Sequence, residues 1–280
     1  MDPRLLQVLV EKPEIVSEIP SWMLPEDTIK ELREIEGLAM AEIAGRDSMA
    51  AILRALDLFD IEAILPTAVY TGTEFGSYTS LMETISSLRY RLKKKGVKMY
   101  DPVFLGSPSF WWILCGRFGT LLLKRFGFCS PCLGCHLYLH GIRIPLAKRI
   151  NSKKIIAGER EFHNHKIKLN QTSIALDAYI ELLKRFDLDL LLPLRYEASG
   201  NHITEIIGQP WAEGREQLCC VLSKNYRELD GTVIYDDKAL KDFFEDFALK
   251  LAQEIIETHL QGQTPHYETI GIKIWEAMHY

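Results

Sequence analysis

With 280 residues, 47% of them hydrophobic, the chain can bury a substantial core, and its balance is that of a globular protein rather than a disordered one. Its longest apolar runs, 188–194 and 110–115, fall far short of the roughly 20 residues that span a bilayer, so a soluble protein without a membrane helix is expected. A net charge of −5 excludes a global attraction to nucleic acid.

Residues 1–35 carry apolar positions at helical spacing, punctuated by Pro13, Pro20 and Pro25, and read as an N-terminal helical appendage. A buried strand is predicted over 38–43, ended by Gly45, with a helix over 48–58. A second strand is predicted over 64–70, where Pro66 implies an edge position or a later start. A helix over 78–94 leads into the basic residues Arg89, Arg91, Lys93, Lys94, Lys95 and Lys98, which suit either local phosphate attraction or a solvated helix face. A short strand over 103–105 precedes a loop with Ser107, Pro108 and Ser109, and a helix is expected over 137–150. A strand over 154–157, a helix over 172–186 and a strand over 188–192 follow. The last segment reads as a helix over 237–260 and a less regular tail. Strands alternating with helices imply an α/β fold with a parallel sheet, here over 36–215, followed by a C-terminal helical extension over 216–280.

Residues 129–135 read Cys-Ser-Pro-Cys-Leu-Gly-Cys and use half of the chain's six cysteines. Cys129, Cys132 and Cys135 at this spacing can hold an iron–sulfur cluster with one iron left open. With His136 or His140 the same thiolates would instead close a tetrahedral zinc site. The iron–sulfur reading is preferred because zinc sites more often pair two separated CxxC-like halves. Asp2 and Arg4 ahead of a short apolar stretch, and Glu11 and Lys12 behind it, do not make a signal peptide, so a reducing cytoplasm is expected and disulfides are not.

Ala44, Gly45, Arg46, Asp47 and Ser48 lie between the first strand and its helix, where backbone N–H groups can bind phosphate oxygens. Asp47 is placed to hold a cation or orient the loop, and Ser48 to cap the helix or donate to an anion; a plain helix cap accounts for both as well. With this order of elements the chain resembles the PP-loop ATP pyrophosphatase (adenine nucleotide alpha hydrolase-like) superfamily, whose loop reads Ser-Gly-Gly-x-Asp-Ser. The last four positions match as Gly45, Arg46, Asp47 and Ser48, while Ile43 and Ala44 replace the first two. The resemblance covers about residues 36–210 and includes Gly158 after a later strand, where such proteins place another nucleotide-side loop.

Joined to a three-cysteine motif, the loop resembles the iron–sulfur-dependent tRNA thiolation branch. That resemblance implies a parallel sheet with helices on both faces, ATP with Mg as nucleotide and metal, and a [4Fe-4S] cluster on Cys129, Cys132 and Cys135. It further implies adenylation of a carbonyl followed by displacement of AMP by sulfur, a tRNA or small-molecule acceptor, a sulfur donor, and Asp47 and Cys220 as candidate catalytic residues. A homodimer is among the expected states. Two other readings stay open: a zinc-stabilised binding protein, and a PP-loop ligase without sulfur chemistry.

Glu159, Arg160, Glu161, His163, His165, Lys166 and Lys168 cluster just past a strand end, where α/β sheets bind ligands; Arg160 and Lys166 suit an anion, and either histidine suits proton transfer or plain solvation. Asn170 and Gln171 suit a base edge, or Asn170 and Thr172 a helix cap. Adjacent Cys219 and Cys220 point in different directions, so one at most is expected to join a site, as a persulfide carrier or a further ligand; both also suit packing. Phe110, Trp111 and Trp112 near Cys115 suit shielding a cluster, stacking a base, or filling the core.

Overall fold

The computed structural model describes residues 1–163, 166–208 and 218–278; His165 and the expected boundary at 215/216 lie outside them. The N-terminal segment forms α1 (Pro3–Glu11), capped by the Asp2 carboxylate accepting from the Arg4 backbone N–H, and α2 (Glu26–Arg33). Then come β1 (Leu38–Glu42), α3 (Arg46–Leu58), β2 (Ala63–Tyr70), β3 (Glu74–Phe75), α4 (Thr79–Lys94), β4 (Lys98–Met99) and β5 (Val103–Gly106). The chain continues with α5 (Pro108–Trp111), which runs into a π-helical turn at Trp112–Gly116, then α6 (Gly119–Phe126), α7 (Pro131–Gly141) and α8 (Ile144–Arg149). β6 (Lys154–Ile156), α9 (Ser173–Lys184), β7 (Asp189–Leu191), α10 (Gly200–Ile207) and β8 (Cys219–Cys220) follow. The chain ends with α11 (Asp237–Asp242), a second π segment at Phe243–Ala248, α12 (Leu249–Leu260) and α13 (Tyr267–Ala277).

The sheet runs β4-β2-β1-β6-β7, with β5 beside the far end of β2, and every pair is parallel. Leu38, Ala39, Met40 and Ala41 of β1 are all buried, as a central parallel strand covered on both faces requires. Right-handed crossovers put α3 and α4 on one face and α9 on the other. The packing agrees: α3 touches α4 and α10, while α9 touches α7 and α12. This is the parallel α/β architecture expected from the alternation of elements.

Four local expectations are corrected. Pro66 is not on an edge, for β2 lies between β1 and the β4–β5 pair. Thr67 accepts from Ile43 on the β1 side and Ile64 accepts from Tyr100 on the other, so Pro66 faces the break between β4 and β5, where no N–H is needed. The helix expected over 137–150 starts earlier, at Pro131, and is split into α7 and α8, so Cys132 and Cys135 are helical. Ser107 is an N-cap accepting from the Phe110 N–H, which turns the expected loop at 107–109 into α5. The tail forms α13, whose Ile270, Gly271 and Ile274 are buried.

Residues of the N-terminal segment enter the same core: Leu5, Val8, Ile15, Ile29 and Leu32 are buried, and Ile15 exchanges two backbone hydrogen bonds with Gly106 at 2.7 and 3.2 Å. In the basic segment Arg89 pairs with Asp101, Lys95 with Asp57 and Lys98 with Glu31. Among the described residues no helix is long and apolar enough to cross a membrane.

Candidate functional site

Strand order reverses between β1, which leads outward to β2, and β6, which leads the other way to β7. Such a switch point leaves a crevice beyond the carboxyl ends of the two strands. The loops after β1 and β6 meet there. The Ser48 hydroxyl accepts from the N–H groups of Ala44 and Gly45, both at 3.0 Å, and donates to the Gly45 carbonyl at 2.8 Å, closing the turn on itself. One Asp47 oxygen accepts from Arg46 Nε at 3.0 Å and the other from Arg160 Nε at 2.8 Å. The anion that Arg160 was expected to meet is therefore supplied by the chain itself.

Gly158 makes this junction possible, since a Cβ there would sit 2.5 Å from the Ser48 nitrogen and 2.6 Å from the Asp47 carbonyl carbon. Beside it, burial lowers the Lys168 ammonium, against the pull of Asp47 and Glu159. Burial also brings His163 down to about 4, so its ring is neutral at physiological pH.

The sulfur wall is built from two distant segments. Cys132 and Cys135 lie one turn apart on α7 and share a face, while Cys129 precedes the helix. Cys220 comes from β8, which pairs antiparallel with β3 so that Cys220 faces Glu74. Its sulfur lies 3.3 Å from Thr73 Oγ1 and accepts from the Leu222 N–H at 3.4 Å. Cys132 in turn donates to the Leu222 carbonyl at 3.6 Å and to Asn225 Oδ1 at 3.2 Å, and Trp111 Nε1 donates to Cys135 at 3.4 Å. Trp111 thus touches the sulfur wall directly, while Cys115 is buried behind it.

Burial pushes the Cys132 thiol up to about 12, with Cys220 and Cys129 adding to the rise. Burial likewise raises Cys135, against the Trp111 hydrogen bond and together with Cys132 and Cys220. All six cysteines are free. Among the described residues no three His, Cys, Asp or Glu side chains converge on a point suited to an ion.

A third constellation escaped the sequence reading as a unit. Glu159, 4% exposed, accepts from His136 Nδ1 at 2.7 Å and from the Gln171 amide, and His136 Nε2 lies 2.8 Å from Asn170 Nδ2. His140 Nε2 is 3.4 Å from the same Glu159 oxygen, too poorly aligned for a hydrogen bond. Burial opposes ionisation of Glu159, yet His136 and His140 hold its carboxyl well below the usual range. Asn170 and Gln171 are spent on this network, and Thr172 caps α9 by accepting from the Ala175 N–H. No isolated residue signals the group, because its members come from α7, the loop after β6 and the turn before α9.

One cavity of about 760 Å³ joins these parts: Ala44 and Gly45 of the turn, Cys135 and Cys220 of the sulfur wall, His136 and Arg143 all line it. Asp47, Ser48, Gly158, Cys129 and Cys132 are not among the residues at its surface.

No protein-family model matches the chain. Its fold is similar, at a TM-score of 0.44 and 14% identity, to a 4-thiouridine synthetase solved as an RNA complex with bound ATP, covering 86% of this chain and 53% of that one; the chain thus spans about half that protein's length. A U34-tRNA thiolase, NcsA from Methanococcus maripaludis, solved with its [4Fe-4S] cluster, scores 0.35 at 14% identity, covering 84% of this chain and 78% of that one. In sequence, the chain is 39% identical over 242 residues, 86% of either chain, to the uncharacterized protein MJ0009 of Methanocaldococcus jannaschii, and it belongs to that protein's family.

Proposed function

We propose that this protein is an ATP-dependent sulfur-transfer enzyme of the PP-loop kind, which adenylates a substrate carbonyl and replaces its oxygen with sulfur. The observation that carries this reading is the cavity lined both by Gly45 of the turn and by Cys135 and Cys220 of the sulfur wall. Phosphates and sulfur need adjoining sites if activation and displacement are to share one bound substrate.

In this reading the Ala44–Gly45 turn at the head of α3, which lines the cavity, faces the phosphates of ATP, with the positive end of the helix dipole behind it. Asp47 holds the loop against Arg160 and orients it, while Lys168 beside them adds positive charge. The substrate carbonyl oxygen attacks the α-phosphorus and pyrophosphate leaves. Hydrosulfide from an external donor then attacks the activated carbon, the carbon–oxygen bond breaks, AMP leaves with the oxygen and the sulfur's proton goes to solvent; were the sulfur carried instead as a persulfide, an external thiol would have to reduce the resulting disulfide. Mg would offset phosphate charge, as it does in most nucleotide sites.

The donor set suits an iron–sulfur group by type, since soft thiolates are the ligands such clusters take, although the side chains of Cys129, Cys132 and Cys135 do not converge on one point and would have to turn inward to hold it. Burial keeps the thiols of Cys132 and Cys135 protonated, and a bound cation would reverse that balance. When bound on Cys129, Cys132 and Cys135, a [4Fe-4S] cluster would supply an open iron for sulfur. Cys220 is the candidate for carrying sulfur as a persulfide or serving as a further ligand.

Anaerobic purification with iron and sulfide quantification tests the reading. About four irons and matching sulfide per chain are expected, with pyrophosphate release that is lost on changing Cys129, Cys132 and Cys135 to alanine. One equivalent of zinc without iron overturns it, and undiminished pyrophosphate release by the triple variant would favour a ligase without sulfur chemistry.

A further inference from the structure

The cavity has a second half that this chemistry leaves unused. Leu5, Val8 and Leu9 of α1 line it, together with Tyr78, Leu81 and Phe104. These side chains offer apolar contact and one hydroxyl, nothing that would hold a ribose-phosphate backbone. The same cavity holds Arg143, whose side chain is only 1% exposed.

Arg143 Nε donates to Thr67 Oγ1 at 2.8 Å and Nη1 to the Leu139 carbonyl. Among the described residues no carboxylate lies within ion-pair distance of it; Glu42, which lines the same cavity, and Glu159 act on it from farther away. Burial accordingly lowers its pKa. A buried cation without a paired anion is costly, and its remaining nitrogen, Nη2, is free to receive one from the cavity.

We propose that the acceptor is a small molecule joining a carboxylate, held by Arg143, to an apolar body that lies against α1. This deepens the proposed function by naming the substrate class of its cavity, and it rests on that reading only for the word acceptor. The volume of about 760 Å³ is in the range of small-molecule sites. RNA is disfavoured by the apolar wall, by the net charge of −5 and by the pairing of Arg89, Lys95 and Lys98 with carboxylates.

The test uses the full chain and 3-phenylpropanoate as probe, compared with its neutral amide, ATP and bulk tRNA, by isothermal titration. The carboxylate is expected to bind at least about tenfold more tightly than the amide, and Arg143→Gln to lower the carboxylate to the amide's level, a loss of about ten- to a hundredfold. Arg143→Lys should retain part of the preference. Leu9→Glu, in the apolar wall, should weaken the carboxylate about tenfold with ATP affinity unchanged.

Equal affinity of the wild-type chain for acid and amide, or no binding of either, overturns the proposal and needs no variant. So does an Arg143→Gln variant that loses ATP and keeps the carboxylate, or tight tRNA binding that Leu9→Glu leaves intact. The two readings fail separately: iron with no carboxylate preference keeps the sulfur chemistry and removes this substrate class, and the preference without iron does the reverse.

Discussion

Gly158→Ala puts a methyl group into the junction of the two loops at the sheet's switch point. The new Cβ would lie 2.5 Å from the Ser48 nitrogen, 2.6 Å from the Asp47 carbonyl carbon and 2.8 Å from Ser48 Cα, where ordinary contact begins near 3.4 Å. All three obstacles are backbone atoms, so no rotamer change relieves the clash; the loops must part by most of an ångström. Overpacking of this kind costs about 1–3 kcal/mol. For a chain of 280 residues that lowers Tm by about 2–5 °C. The same displacement stretches the 2.8 Å bond between Asp47 and Arg160 and tilts the α3 N-terminus away from the proposed phosphate position. ATP affinity should therefore fall at least about tenfold, since hydrogen bonds to charged groups are worth roughly 1.5–3 kcal/mol. Calorimetric unfolding and nucleotide titration on the same preparation read both effects. A variant that melts within about 1 °C of wild type and binds ATP equally well would refute the claim that the β6 loop seats the nucleotide turn.

Arg160→Met removes one of two guanidinium partners of Asp47 and should cost about 1–3 kcal/mol by chemical denaturation, with weaker ATP binding in parallel. Tyr138→Phe removes the hydroxyl that accepts from the Ser107 N–H at 2.8 Å and donates to the Tyr70 carbonyl at 3.0 Å. Because the Ser107 N–H is left buried without a partner, a loss of about 1–3 kcal/mol is expected, together with faster amide exchange at Ser107. Glu159→Gln should destabilise the protein by about 1–3 kcal/mol at pH 7, since it removes the negative charge beside half-buried His136 and buried His140. The carboxyl of Glu159 is depressed in the fold, so its contribution is full above the ordinary carboxylate value and is lost as pH falls through the depressed one. The gap between wild type and Glu159→Gln in denaturation midpoint should accordingly narrow on acidification below about pH 4, the unfolded carboxylate value; a gap that widens there would contradict the assignment.

The sheet was legible because β1, β6 and β7 are short apolar runs separated by amphipathic helices, and each pattern is local. Pro66 misled because its tolerance depends on where two other strands stop and start, which no window around residue 66 contains. The tail at 267–277 hid a helix because its apolar positions, Ile270 and Ile274, flank Gly271, whose missing side chain lets Ile113 come close. In the site, Gly45, Asp47, Ser48 and the cysteines stood out by type and spacing. The partnership of Arg160 with Asp47, and of Glu159 with His136, could not be read, for the first is made across the sheet's switch point and the second between α7 and the loop after β6. Arg143 carried no signal at all: one arginine near a helix start looks like a surface residue until the fold buries it.

The two-stranded ribbon of β3 and β8 joins Glu74 to Cys220, residues separated by more than half of the chain. Four residues of pairing are too few to repay the entropy of closing so long a loop, so the ribbon can form only once the parallel sheet has brought its ends together. During synthesis the turn at Gly45 leaves the ribosome long before the segment bearing Cys220 does. Until then Cys132 lacks the Leu222 carbonyl and the Asn225 amide that engage its thiol, so the growing chain leaves it more open to oxidants than the finished protein does.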